Sequence, residues 1–156
     1  MVWRWVWFPE TEGAVISVFD VAAYVLEKLG PMTAMKMHKL AYYAQAWSVV
    51  WDDEPLIDGR FEAWANGPVS PEYFAAHRGE YTVSSEPRGN VKLIKGRVKA
   101  TVDAVIKAYG DKEPGWLSDL THREDPWIKA REGLSPGQRG NQEISLASMR
   151  DYYSSL

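Results

Sequence analysis

Three histidines, His38, His77 and His122, are the side chains best suited to acid–base or metal chemistry in this chain. His122 stands nearest to acids, in the segment THREDPW at residues 121–127, where Glu124 and Asp125 follow it. A histidine and two carboxylates could hold a metal ion or transfer protons. These three residues fall on a turn, however, and lack the i, i+4 spacing of a helical HExxH site. The pattern favours a helix junction held by His122 and Asp125, with a metal-dependent hydrolase using those two residues as an alternative.

Other enzyme classes leave no signature in the sequence. The chain has no cysteine, which excludes disulfides, zinc–thiolate sites and cysteine nucleophiles. We find neither a nucleophile elbow nor a glycine-rich phosphate loop. A lone helical histidine such as His38 is more often a hydrogen-bonded boundary residue than a ligand or base. The sequence therefore predicts a protein that is not an enzyme, with no cofactor and no metal.

Charge and hydropathy restrict the partners. The net charge is −3, from 18 basic and 21 acidic residues, so no overall electrostatic footprint for nucleic acid exists. A DNA-binding autoregulator is therefore a weaker alternative, and nucleic acid is not an expected partner.

No apolar run approaches the ~20 residues of a membrane helix, and the N-terminus lacks the features of a secretory signal. We expect a cytoplasmic protein without a membrane partner.

The segment FEAWANGPVSPEYF, residues 61–74, is the stretch around which the chain is organised. Alternation of side chains predicts a short strand within residues 59–66. Asn66 and Gly67 supply a turn, and Pro68 is expected to end the strand ladder. Ser70 and Pro71 then start a short helix that carries Tyr73. This corner is either a rigid turn between core elements or a recognition surface.

Helical periodicity dominates the rest of the chain. A helix is predicted for residues 17–29, and a longer one for residues 34–51 with a single buried face. The other side of the long helix is expected to carry Lys36, Lys39 and Tyr43, with His38, Tyr42 and Gln45 a little further round. Further helices are predicted near residues 97–109, 114–120, 125–132 and 145–153, and short strands near residues 81–94. The expected fold is mainly α, one compact domain of about five to seven helices.

The N-terminus is unusually rich in tryptophan, with Trp3, Trp5 and Trp7 on one side of an extended chain. Both sides of this segment are mostly apolar, which is typical of a partner-binding or aggregation-prone strand. Three alternatives stay open. The segment binds a partner, adds a strand to the core, or is not native because translation begins near Val15. We therefore divide the chain into an extension, residues 1–14, and a domain, residues 15–156.

Several ordered segments together resemble the Panacea antitoxin domain, a family that includes SocA-like antitoxins and phage-associated GepA-like proteins. The resemblance spans about residues 16–154, and the blocks EAW-x-x-GPV and LTH-x-x-x-PW are its most specific parts. One departure is Met37-His38, where the family usually shows Leu-Gln, so His38 is a poor candidate for a shared function. The segments are VAAYVLEK (21–28), MKMHKLAYYAQAW (35–47), EPLID (54–58), FEAWANGPVSPEYF (61–74), AYG (108–110), LSDLTHREDPWIKAR (117–131) and DYY (151–153).

This resemblance implies a small, mainly helical antitoxin that neutralises a toxin protein encoded nearby by direct contact, in a type II-like system that is phage- or prophage-borne. One SocA-like branch delivers its toxin to a protease, so a proteolytic adaptor is an alternative. The expected partner is the toxin, in a heteromeric complex or with a homo-oligomer of this chain. The predicted partner-binding residues are Trp3, Trp5, Trp7, Trp64, Asn66, Gly67, Pro68, Tyr73, His122 and Trp127.

Overall fold

The computed structural model describes residues 16–156, and within this range the chain forms seven α-helices and five short strands. The mainly α fold class and the number of helices are confirmed. Trp3, Trp5 and Trp7 lie outside the described residues. The elements are α1 (Val18–Leu29), β1 (Met32–Thr33), α2 (Ala34–Asp52), β2 (Phe61–Trp64), β3 (Gly67–Val69), α3 (Pro71–Ala76), β4 (Thr82–Val83), α4 (Gly96–Tyr109), α5 (Pro114–His122), α6 (Asp125–Ala130), β5 (Glu143–Ile144) and α7 (Leu146–Tyr153).

Helix α1 begins at a capping box. The Ser17 hydroxyl accepts from the backbone N–H groups of Phe19 and Asp20, and the Asp20 carboxylate accepts from the Ser17 N–H. The same carboxylate also accepts from the N–H of Asn90, 2.7 Å away, which fixes a distant loop against the helix start. The helix ends at Gly30, whose φ of 81° is readily adopted only by glycine.

Helix α2 is the centre of the molecule, and it is buried on more than the one face that periodicity predicted. Helices α4 and α7 pack on one part of its surface, while β3 and α5 pack on another. The side expected to be polar and exposed is therefore buried as well, including His38, Lys39, Tyr42, Tyr43 and Gln45. Polar residues in this position need partners from neighbouring elements, since a helix packed all round has no water to satisfy them.

Gln45 shows how such a partner is supplied. Its side-chain oxygen accepts from the backbone N–H groups of Leu56 and Ile57, each at 2.8 Å, and its amide donates to the Ile57 carbonyl at 3.1 Å. One buried amide therefore docks the extended segment after α2 onto the helix.

Two small antiparallel sheets complete the fold. Strands β1 and β4 pair, with Met32 opposite Val83. The second sheet has the order β3-β2-β5, with β2 in the middle. The strand expected at residues 59–66 is confirmed as β2. Of the strands expected near residues 81–94, β4 is present, whereas Val91–Leu93 forms a 3₁₀ turn because the Asn90 side chain accepts from the Lys92 N–H and caps it. Helices α1–α7 include none that is long and apolar enough to cross a membrane.

Candidate functional site

The corner at residues 61–70 is a tight hairpin. Trp64 pairs with Gly67, so the turn consists of Ala65 and Asn66, and Gly67 has a φ of 119° that favours glycine. Pro68 does not end the ladder as the sequence suggested, because it lies in β3 opposite Ala63. Since β3 is an edge strand, the missing N–H of Pro68 removes no bond from the sheet interior.

Side chains from three helices hold this hairpin by its carbonyl oxygens. Trp127 Nε1 of α6 donates to the Trp64 carbonyl at 2.8 Å, and Ser118 Oγ of α5 donates to that of Asn66 at 2.7 Å. Lys39 Nζ of α2 donates to the Pro68 carbonyl at 3.2 Å. Each bond satisfies an acceptor near the turn, so the hairpin has one position relative to the helices.

Arg131, which follows α6, adds a fourth bond to the hairpin. Its Nη1 donates to the Ala63 carbonyl at 2.9 Å, and its Nη2 donates to the carbonyls of Ser135, Pro136 and Gln138. The planar guanidinium suits such a fork of acceptors. It ties the loop after α6 to the sheet.

The sequence-predicted site residues differ in their exposure. Asn66 is exposed and Trp64 is partly exposed, while Gly67 and Pro68 are buried. Trp127 is 9% exposed and Tyr73 is completely buried, with the Tyr73 ring against those of His38 and His77. The ring of His122 packs against that of Trp127, with the ring centroids 4.2 Å apart. The structure therefore brings Trp64, Asn66, Gly67, Pro68, His122 and Trp127 together around one hairpin, and it places Tyr73 beneath them in the core.

A groove of about 650 Å³ opens beside the hairpin. Its walls come from α2, β2, the hairpin turn, α3 and the loop that contains Arg139. Trp64 and Phe74 line it with their rings 4.8 Å apart, edge to face. Cavities of this size are typical of sites that take a small ligand or a few side chains of a partner.

Two titratable residues of α2 line the groove, and both are strongly desolvated. Burial lowers the pKa of Lys39 to about 7. Burial, with the nearby charges of Lys39 and His77, lowers the pKa of His38 to about 3, so its ring is neutral at pH 7 and Nδ1 accepts from the Ser70 N–H. Lys39, at the floor of the groove, therefore changes its charge near physiological pH.

The three residues of the proposed His122 cluster point in different directions. Glu124 faces the core and accepts from the hydroxyls of Tyr43 and Tyr153, at 2.8 and 2.6 Å. Burial raises the pKa of Glu124, although these two bonds oppose the shift. Asp125 lies at the surface near Lys129, and His122 turns toward the hairpin. Between Ile16 and Leu156, no three histidine, aspartate or glutamate side chains are grouped so that they could hold a metal ion.

Comparison with known proteins identifies the family. A family model described as "Antitoxin SocA-like, Panacea domain" matches residues 37–128, more than half of the chain. The chain belongs to the SocA-like Panacea family. Antitoxin SocA of Caulobacter vibrioides (strain NA1000 / CB15N) is 34% identical over an alignment of 71 positions that covers 41% of this chain and 38% of that relative. The chain therefore matches well under half of the relative's length. No solved structure matches.

The Panacea segment contains most of the site. It begins within α2 and ends within α6, so it includes the hairpin and the groove walls except Ala34, Met35 and the loop of Arg139. Sequence reasoning missed Lys39 and Arg131 as contributors. Each has a polar side chain whose burial depends on elements distant in sequence, and local periodicity carries no such information. Lys39 stands beside buried positions of α2, which is the one signal that could have marked it.

Proposed function

We propose that this protein is an antitoxin that neutralises a toxin protein by direct binding, and that the toxin contacts the groove beside the hairpin. The observation that carries the proposal is the position of the groove: the segment that defines the Panacea family folds around it. The matching family model is described as antitoxin SocA-like, and one relative is named Antitoxin SocA.

The exposed part of the corner is suited to protein contact. Trp64 and Phe74 are both partly exposed, and aromatic residues of this kind carry much of the binding free energy in interfaces. The buried residues of the corner, Gly67, Pro68 and Trp127, hold these contact residues in position. A rigid hairpin lowers the entropy lost on binding.

The first test is co-expression with the neighbouring gene, followed by a pull-down on this protein and a growth assay. A stable complex together with rescued growth supports direct neutralisation. Rescue accompanied by loss of the toxin in a protease-dependent manner would support the proteolytic adaptor instead. Rescue with neither a complex nor loss of the toxin contradicts the proposal.

Trp64→Ala locates the contact. We expect toxin binding to weaken by about 2 kcal/mol or more, since a partly exposed aromatic side chain of the groove is removed. Trp116→Ala is the matched control, because Trp116 is 45% exposed but does not line the groove. Calorimetry measures binding, and thermal melting shows whether each variant still unfolds cooperatively.

A second variant separates contact from folding. Asn66→Glu adds bulk and charge at an exposed position of the rim without removing core contacts. Normal binding by cooperatively folded Asn66→Glu and Trp64→Ala proteins would contradict the placement of the toxin in this groove.

A further inference from the structure

Lys39 is a buried amine with an incomplete set of partners. Its side chain is 1% exposed, and its one hydrogen bond within residues 16–156 goes to the neutral Pro68 carbonyl. An ammonium group has three donors, so this bond leaves most of its capacity unused. Buried ammonium groups are normally paired with a carboxylate, because desolvation without pairing is strongly unfavourable.

The acids of the groove do not supply that pairing. Glu62 of β2 accepts from Arg60 Nε and from Trp64 Nε1, each at 2.8 Å. Glu80, which follows α3, contacts the His77 ring. Neither of them, nor any other carboxylate between Ile16 and Leu156, forms an ion pair with Lys39, and desolvation alone accounts for its lowered pKa.

Apart from these carboxylates, the ionisable groups near Lys39 are neutral or positively charged, which favours an anion in the groove. His38 on the same helix is neutral at pH 7, and burial lowers the pKa of His122, which packs from α5. The side chain of Arg139 lies at the exposed rim and adds a second positive charge. An entering carboxylate therefore meets the Arg139 cation, the Lys39 amine whose charged form it favours, and two carboxylates that are already engaged.

We infer that the groove binds an acidic side chain, an Asp or Glu of the bound toxin, whose carboxylate pairs with the Lys39 ammonium between the apolar walls of Trp64, Val69 and Phe74. This inference rests on the proposed function and names the chemistry of its contact. Lys39 is already desolvated in the free protein, so forming the pair adds no further desolvation of the amine. The ion pair also gives specificity, because a neutral side chain in the same place would form no ion pair with Lys39 and would bind less tightly.

Lys39→Met tests the pair in the complex with the toxin. Methionine fills similar volume without charge, so we expect the Kd to rise by at least about 30-fold, as for removal of one member of a buried charge pair. The melting temperature of the free variant should stay near that of the wild type, because removal of the desolvated amine offsets the loss of the bond to the Pro68 carbonyl. A residue that only supports the fold would not weaken binding while stability is kept.

Lys36→Met is the matched control on the same helix. Lys36 Nζ donates to the Gly110 carbonyl at 2.6 Å and does not line the groove. We expect toxin affinity to be unchanged in this variant. An equal loss in both variants would overturn the inference, because it would reflect the net charge of α2 rather than the groove.

Proton uptake gives a readout specific to the amine. At pH 8 the free Lys39 is mostly neutral, and a carboxylate contact favours the ammonium form, so binding should take up close to one proton. Calorimetry in two buffers of different ionisation enthalpy measures this uptake. It should vanish in Lys39→Met and persist in Lys36→Met. Uptake that persists in Lys39→Met would overturn the inference.

A small probe separates this inference from the proposed function. N-acetyl-aspartate amide, titrated into the full chain at millimolar concentration, should raise the NMR-measured pKa of Lys39 and shift the Trp64 and Asn66 amides, whereas N-acetyl-asparagine amide should not. A Lys39 pKa that does not respond to the acidic probe overturns the site, whether or not a toxin is found. A responsive groove in a protein that binds no toxin leaves the site standing and overturns the proposed function.

Discussion

The protonation state of Lys39 affects both the stability of the core and the groove that this residue lines. Its amine is taken out of water by α2, β3 and α5, and its hydrogen bond to Pro68 fixes it beside the turn. The hairpin turn also lies close to this side chain: a Cβ added at Gly67 would be only 2.6 Å from Lys39 Cε. Protonation of one side chain is therefore coupled to both folding and the shape of the groove.

The stability of the free protein should rise with pH between 7 and 9.5. In this window the unfolded chain keeps the Lys39 proton, since an ordinary lysine has a pKa near 10.4, while the folded protein loses it at about 7. The unfolded state then binds more protons, so the free energy of unfolding increases with pH, by up to roughly 3 kcal/mol. Urea unfolding at pH 7, 8 and 9.5 measures the change.

The same measurement on Lys39→Met is the control. The rise should disappear in this variant, because no amine remains to titrate in the core. Measurements stop at pH 9.5 because burial raises the pKa of Tyr43 and Tyr153, so ionisation of these residues in the unfolded state opposes folding above pH 10. A stability that stays flat from pH 7 to 9.5 in the wild type would contradict a desolvated Lys39.

Among the elements, the hairpin β2–β3 depends most on contacts from outside itself. Its two strands are only four and three residues long, so their own pairing stabilises it weakly. Trp127, Ser118, Lys39 and Arg131 supply the remaining bonds from the helices and from the loop that follows α6. The hairpin is accordingly a rigid part of the core, although it carries the exposed side chains of the corner.

Gly67→Ala should destabilise this element. Alanine is strained at a φ of 119°, and its Cβ would lie 2.6 Å from Lys39 Cε and 3.0 Å from Thr121 Oγ1. We expect the free energy of unfolding to fall by about 2 kcal/mol or more. Urea unfolding measures it.

Gly115→Ala is the matched control, because nothing lies within 4 Å of a Cβ at that position and Gly115 belongs to α5. The free energy of unfolding of the Gly115→Ala variant should be unchanged or higher by up to about 1 kcal/mol, since alanine is the better helix former. Equal effects at both glycines would show that the close approach of the turn to Lys39 and Thr121 is not significant.

For the molecule as a whole, α2 organises the core and the remaining helices surround it. Its buried residues contact α4, α7, α5 and β3, so one long helix joins the N-terminal and C-terminal parts of the described chain. The family segment, residues 37–128, includes most of α2.

Removal of the tryptophan-rich N-terminus tests a second contact. A chain that begins at Gly13 should lose neutralisation but keep its melting temperature, if Trp3, Trp5 and Trp7 pack on the toxin or on a second copy of this protein. A growth-rescue assay and thermal melting measure the two effects. Unchanged rescue would contradict the contact, and a lowered melting temperature would instead assign these residues to the fold.

Local sequence determined the elements of this protein, because capping, turn formation and helical periodicity act between residues close in the chain. The Ser17 capping box, the turn after Trp64 and the long helix at residues 34–51 were all predictable on this basis. Resemblance of short motifs then gave the Panacea family, and the family comparison confirms it. These signals do not depend on which elements pack together.

Only the tertiary structure decided which polar residues are buried and what they bind. The sequence placed Lys39 on an exposed side of α2, and burial by β3 and α5 reverses that, since three-dimensional packing surrounds the helix. β5 was not predicted, because a strand of two residues exists only where Phe61 and Glu62 offer it a partner. Glu124 likewise looked like a neighbour of His122, yet it binds Tyr43 and Tyr153 across the core. Burial and pairing are long-range properties, so they follow from the assembled fold and not from local spacing.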